Sequence, residues 1–408
     1  MSSTDFDIIM LALPRWDGAY SSTAYSLAKE LSRYSRVFYI DNPFTYKDYL
    51  SGRNAKQIEK RKNALLWGKD VFATPDADYP NLVAVTPRFV IPINWLPQGF
   101  LYNALSRIND ALVMRALDET IRSYAVKKYV FINSFNPLFG KYFPARFKPA
   151  LNLYHCVDDI SKSAYVSKHG TRLENESVAK ADMTLVTSME LLRLKSMHST
   201  RVYYLPNAAD VPLFQTAVHE DLIVPEEIKR ITPGKKIIIY TGNICHRLDY
   251  DLLVKIATQH ADKILFMVGP LANDKYRKAG LDKMPNVIFA GSKPIDKLPA
   301  YLKYSHCCII PFLCIPLTKS IYPLKINEYL SAGKPVVTTN FSEDIANFAD
   351  VAFVANNHDS FLQSIETATA TDSPEKVTNR VQYSSQNSWS YRAKQFMDII
   401  TNHTGKNG

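Results

Sequence analysis

The chain has 408 residues, 46% of them hydrophobic and 22% charged, a balance that excludes wholesale disorder. It is too long for one ordinary hydrophobic core, so two domains of about 200 residues each are expected. The net charge is +10 and uneven: residues 1–212 hold 27 Lys/Arg against 20 Asp/Glu.

Five cysteines (Cys156, Cys245, Cys307, Cys308, Cys314) with no C-x-x-C spacing fit neither a disulfide framework nor a zinc ribbon. A reducing cytoplasm is the expected location. The apolar runs Ile8–Leu13 and Cys307–Leu317 are too short, or too broken by Pro311 and Pro316, to span a bilayer, and the first lacks the basic flank of a signal peptide. A soluble or peripheral protein is expected. The basic run Arg53, Lys56, Lys60, Arg61, Lys62 and Lys69 reads first as a solvated helix face. An anionic membrane surface or a phosphate-bearing ligand are the alternatives; no nucleic-acid-binding module is recognisable.

Short β-rich runs alternate with helical patterns, which predicts parallel sheets built from βαβ units. The first half supplies strands at Asp7–Leu13, Arg36–Asn42, Lys128–Ser134, Ala150–Val157, Asp182–Ser188 and Arg201–Pro206. A helix capped by Ser21 or Ser22 lies between the first two, with Ala24, Leu27, Ala28 and Leu31 on one face. Residues 46–97 look like an insertion or loops around a cleft. Asp210–Gly234, with Pro212, Pro225 and Pro233, reads as a connection. Beyond it come strands Lys236–Thr241, Lys263–Val268, Val287–Ala290, Cys307–Phe312 and Pro335–Thr339, helices Leu248–His260, Leu298–Tyr304 and Pro323–Ala332, and a helical tail, Trp389–Ile400.

The segment Thr318–Val337 (TKSIYPLKINEYLSAGKPVV) carries the densest signal. Pro323 suits the first turn of a helix, and Gly333 with Pro335 ends it. Unpaired N–H groups and the helix dipole favour an anion at the helix start. Lys325 adds positive charge there, and Glu328, at i+3, can accept hydrogen bonds from the vicinal hydroxyls of a ribose. By itself this Lys/Glu pair reads first as an intrahelical surface ion pair. Gly242 and Asn243, Arg247, and Gly269-Pro270 all follow strands, and in an open parallel sheet the carboxyl ends of strands line the ligand crevice. Gly242 permits close approach of a ligand, and Arg247 can pair with a diphosphate.

The ordered set P-N-A-A-D (Pro206–Asp210), Y-T-G-N-I (Tyr240–Ile244), R-L-D-Y-D-L-L (Arg247–Leu253), P-L-K-I-N-E-Y-L-S-A-G-K-P-V-V (Pro323–Val337) and the terminal W-S-Y-R-A helix resembles GT-B glycosyltransferases that build bacterial surface polysaccharides. The resemblance implies two Rossmann-like α/β domains: residues 1–210 for the acceptor, joined by a returning helix at 388–402, and residues 211–387 for the nucleotide-sugar donor. It assigns the phosphate-binding helix start to Tyr322, Pro323, Leu324 and Lys325, and the ribose carboxylate to Glu328. Many retaining members carry a second glutamate eight residues earlier, where this chain has Ser320. That departure leaves room for an inverting reaction, which needs a general base. Asp158 and Asp159, at the carboxyl end of a strand, are the candidates, with His155 and Asp17 as further options for base or acceptor binding. The D-x-D pairs Asp5–Asp7, Asp76–Asp78 and Asp249–Asp251 do not follow strands toward the nucleotide, so a metal-independent transfer from a UDP-sugar to a lipid-linked glycan acceptor is expected. The aromatics around Trp95–Tyr102 would face an anionic membrane. A UDP-sugar epimerase or a non-catalytic nucleotide-sugar-binding subunit on the same fold are the alternatives.

Overall fold

The computed structural model describes residues 5–18, 22–52, 54–162, 166–231 and 233–404. Ser21 and Arg53 therefore lie outside the described residues. The chain divides into two compact units: Met1–Leu205 with Arg392–Gly408, and Pro206–Tyr391.

The first unit is built on strands β1 (Asp7–Ala12), β2 (Val37–Ile40), β3 (Phe72–Ala73), β4 (Leu82–Val85), β5 (Tyr129–Ser134), β6 (Leu151–Cys156), β7 (Met183–Val186) and β8 (Val202–Tyr204). They form one sheet in the order β3-β4-β2-β1-β5-β6-β7-β8. Every pairing is parallel except β3 with β4. β1 is buried along its whole length, as a strand covered on both faces must be. The helix Thr23–Leu31 buries the expected Ala24, Leu27, Ala28 and Leu31, and the Ser22 hydroxyl accepts from the Tyr25 N–H as its cap.

Residues 46–97 depart from the loop expectation. They contain three short helices and strands β3 and β4, and β4 extends the sheet beyond β2 with Val37 opposite Leu82. The 24-residue helix Phe100–Ser123, which no apolar stripe announced, packs Val113, Met114 and Leu117 into the same core as Ile9, Phe38 and Phe131.

The second unit carries β9 (Ile237–Thr241), β10 (Ile264–Val268), β11 (Val287–Gly291), β12 (Cys307–Ile310), β13 (Val336–Thr339) and β14 (Phe353–Ala355). These form an all-parallel sheet in the order β11-β10-β9-β12-β13-β14. Strand order reverses between β9 and β12, which creates the switch point where open α/β sheets bind ligands. The stretch read as a connection is instead part of this unit: Val211–His219 is a helix capped by Asp210, with Phe214 fully buried in the unit's core. Pro212 sits in its first turn, where a missing N–H costs nothing. Among the described residues no helix is long and apolar enough to cross a membrane.

Candidate active site

The switch point of the second unit gathers most of the residues assigned to a donor. β9 ends at Thr241, and its N–H donates to the Tyr329 hydroxyl at 2.8 Å. Tyr329 lies in the helix Leu324–Ser331, so this bond fixes the helix against the carboxyl end of β9. The helix begins one residue later than expected: Pro323 is its extended N-cap rather than its first turn, and no side chain caps the N–H groups that follow. Gly333, with φ of +69°, ends it as expected.

The turn after β9 needs glycine on two counts. Gly242 has φ of +132°, and a Cβ there would stand 3.1 Å from the Lys325 Cε. Gly269, after β10, has φ of +150°, and its Cβ would fall 1.9 Å from the Gly242 carbonyl oxygen. The Gly242 N–H donates to the Val268 carbonyl at 2.8 Å, and the Tyr240 hydroxyl donates to the Asn243 carbonyl at 3.1 Å. Asn243 itself is exposed on the rim.

Two cations share one aromatic ring beside this turn. The Lys325 Nζ lies 5.1 Å from the centroid of Phe312, and the Arg247 guanidinium 5.8 Å from it. Lys325 also faces Tyr240 at 5.5 Å. The Arg247 Nε–H donates to Cys245 Sγ at 3.2 Å, which sets the direction of its side chain. Burial, reinforced by Arg247, pulls the Lys325 ammonium down to about 8. Burial also pushes Glu328 up to about 7, with Lys325 opposing the shift and Asp210 adding to it. Lys325 and Glu328 close no salt bridge with each other, so the simple surface ion pair is not what they form. The result is a partly buried pair of positive charges with a neighbouring carboxylate, arranged at an open helix start.

Two members of the expected donor set turn inward. Ser320 is 1% exposed, and its hydroxyl donates to the Leu317 carbonyl at 3.2 Å. Tyr322 is buried, its hydroxyl accepting from the Asn327 amide at 3.2 Å. Neither presents its side chain to solvent. Phe312, Tyr240 and Tyr329 were missed in the sequence because they act through ring faces and one hydroxyl. Each aspartate pair is tied into the surrounding structure. Asp249 caps the helix Tyr250–Gln259 and meets His358 at 2.9 Å, Asp7 pairs with Arg36, and Asp76 with Lys29.

In the first unit Asp158 and Asp159 do follow β6. The Asp159 carboxylate accepts from the Ser161 N–H at 3.0 Å and its hydroxyl at 2.6 Å, holding the turn Ile160–Lys162. Asp158 is exposed. His155 is 1% exposed, with Nδ1 against the Ser134 hydroxyl at 3.2 Å, and burial lowers it to about 4. It is therefore a neutral, enclosed imidazole near pH 7. Asp17 accepts from the Gln57 amide at 2.9 Å and from Arg61 at 2.8 Å, and Arg61 also reaches Asp41 at 3.3 Å. Asp17 thus anchors an ion-pair network beyond the end of β1.

Residues 235–370 match the family described as "Glycosyl transferases group 1". Over 115 residues the chain is 34% identical to TuaH of Bacillus subtilis strain 168, named for teichuronic acid biosynthesis, covering 28% of this chain and 29% of that protein. Over 187 residues it is 24% identical to WcaI of Escherichia coli strain K12, named for colanic acid biosynthesis, covering 44% and 45%. The chain thus spans less than half the length of either relative. The structure of Anabaena Alr3699/HepE in complex with UDP and glucose is similar with a TM-score of 0.60 at 11% identity, over 97% of this chain and 99% of that one.

Proposed function

From a group 1 glycosyl transferase domain at residues 235–370 on a GT-B fold, we propose that this protein moves a sugar from a UDP-sugar to a lipid-linked glycan acceptor in surface-polysaccharide biosynthesis. One observation carries the reading: Arg247 and Lys325 flank a shared ring at an uncapped helix start, with Glu328 one turn along. A nucleoside diphosphate satisfies all three. Its phosphates compensate the two cations, the first helical N–H groups bond their oxygens, and Glu328 accepts from the ribose hydroxyls. UDP in the HepE complex and the names of the two bacterial relatives support this donor and pathway class.

In the proposed inverting step the acceptor hydroxyl oxygen attacks the anomeric carbon from the face opposite the diphosphate. The bond from that carbon to the phosphate oxygen breaks, and the hydroxyl proton passes to Asp158. Negative charge gathers on the departing UDP, where Lys325, Arg247 and the helix N–H groups stabilise it without a metal ion. Asp158 is taken as the base as the first of the two aspartates after β6; its Oδ1 accepts from the Asp159 N–H at 2.8 Å, and the Asp159 carboxylate holds Ser161. The reaction would run in the cytoplasm, with the protein peripheral to the membrane that carries the acceptor.

Glu328→Ala should weaken UDP binding by about 1.5–3 kcal/mol, the scale of charged hydrogen bonds. Calorimetric titration reads this directly, and an unchanged affinity would remove the assignment. Asp158→Asn should retain UDP affinity and lose transfer.

A further inference from the structure

The second unit carries a cavity at the edge of its sheet opposite the donor crevice. Strands of a parallel sheet all begin at one edge. Here Lys236 precedes β9, His306 precedes β12, and Lys334 with Pro335 precedes β13. Helices packed on such a sheet run the other way, so Leu298–Lys303 and His358–Ala370 bring their last turns to this same edge. Between these elements lies a cavity of about 420 Å³, lined in part by Lys303, Tyr304, His306, Lys334, Thr369 and Asp372. That volume falls in the range of small-molecule sites, about 300–1,000 Å³.

Positive charge surrounds this cavity. Lys334 Nζ donates to the carbonyls of Lys303 at 2.7 Å and Ser305 at 3.0 Å. Lys236 donates to the Thr369 carbonyl at 2.7 Å, and Lys303 to that of Glu220 at 2.7 Å. Cations suit the carbonyl ends of helices. These acceptors are neutral, however, and they use at most two of an ammonium's three hydrogens. Neither nearby acid compensates the charge. Asp372 also lines the cavity, but its carboxylate accepts from Arg380 at 2.6 Å. Glu366, one turn before Thr369, meets His260 and Lys263 at 2.8 Å each. His306 accepts the Ile237 N–H on Nδ1 at 3.1 Å, so its neutral ring carries a proton on Nε2. Burial, and then the charges of Lys334 and Lys236, hold that ring below the ordinary histidine value.

We propose that this cavity binds a small phosphate monoester, its phosphoryl oxygens meeting Lys303, Lys334 and the His306 Nε2–H and its carbon frame lying against Tyr304. Separate single-point donors suit a tetrahedral dianion, whereas a flat carboxylate pairs best with a planar guanidinium. The guanidinium beside this cavity, Arg380, already holds the Gly333 carbonyl and Asp372. The site goes beyond the donor reading and does not rest on it. Lys334 follows Gly333, which ends the helix Leu324–Ser331, so the two anion sites stand at opposite ends of one helix.

The test is calorimetric titration of the full chain at low salt with glucose 6-phosphate, glucose, glucuronate and inorganic phosphate. Glucose 6-phosphate should bind at one site per chain, with or without saturating UDP, and more weakly at high salt. Glucose should not bind. Lys303→Gln/Lys334→Gln should weaken glucose 6-phosphate about tenfold or more. Because Lys334 also holds two carbonyls, Thr369→Trp serves as a second variant. It adds bulk to the cavity, leaves every cation in place, and should weaken binding as well while UDP affinity stays at the wild-type level. Absence of glucose 6-phosphate binding by wild type overturns the proposal. So does full binding by Thr369→Trp together with the lysine pair, or displacement of the ligand by UDP, which would send the anion to the donor crevice. Inorganic phosphate or glucuronate binding as tightly as glucose 6-phosphate overturns the assigned ligand class.

Discussion

The carboxyl edges of the two sheets use charge in opposite ways. In the first unit, Arg61 is nearly buried and divides its guanidinium between Asp17 and Asp41, while Gln57 and the Trp16 N–H complete the two carboxylates. In the second, Arg247 and Lys325 crowd one ring, burial and then Arg247 depress the lysine, and Glu328 stands by without closing a salt bridge. A cation shared between two carboxylates holds a fold together; two like charges crowded beside one ring suit, under the proposed reading, an incoming anion. The basic composition of the first half is thus partly taken up internally, and the proposed donor site lies in the half with less net charge.

The sharpest break in this contrast comes from Gly269→Ala. Its Cβ would overlap the Gly242 carbonyl, and φ of +150° is unfavourable for alanine, so the second unit should lose about 4 kcal/mol or fail to fold. Thermal unfolding and UDP binding would both register it. Next, Arg61→Met leaves Asp41 buried without its cation and should cost about 3–5 kcal/mol of stability. Lys325→Met should do the reverse, leaving stability within about 1 kcal/mol and weakening UDP binding about tenfold to a hundredfold. If the two variants behave alike in melting, the distinction between the two edges is wrong.

The smallest effect is a pH dependence. A diphosphate prefers charged Lys325, which is held at about 8 when the site is empty. UDP affinity should peak between about pH 7 and 8. It should fall as pH rises through about 8 and Lys325 loses its proton, and fall as pH drops through about 7 and Glu328 gains one, by at most about tenfold per unit on either side. Binding near pH 8 should also take up a proton, visible as a buffer-dependent heat in calorimetry. Lys325→Arg should abolish the fall above pH 8 and the proton uptake.

The donor edge was legible because its signals are local. Strand-end glycines, a proline before a helix and a Lys/Glu pair at i+3 all fall within short windows. What stayed hidden depends on distant pairing. Tyr329 meets Thr241 across 88 positions, and Arg61 meets Asp17 across 44, so no motif announces either. Strand β4 is four residues long and lies among prolines and basic residues that suggested loops. The helix Phe100–Ser123 buries Ser106, Asn109, Asp110 and Thr120 among its apolar residues, which erases the stripe by which helices are read. Ser320 illustrates the converse: its sequence position suggested contact with the donor sugar, but its side chain is enclosed.

The contact between Gly242 and Gly269 also bears on how such a protein could diversify. Because the Gly242 carbonyl fills the space beside the Gly269 α-carbon, the turn after β10 can acquire a side chain there only if the Gly242 turn shifts with it, while a Cβ at Gly242 would press on Lys325 instead. Gly291, at the end of β11, has nothing within 4 Å of where a Cβ would stand, although its φ of +69° still favours glycine. Under the proposed donor reading, changes in sugar preference would arise around that roomier outer margin, while Gly269 stays pinned by its neighbour's carbonyl.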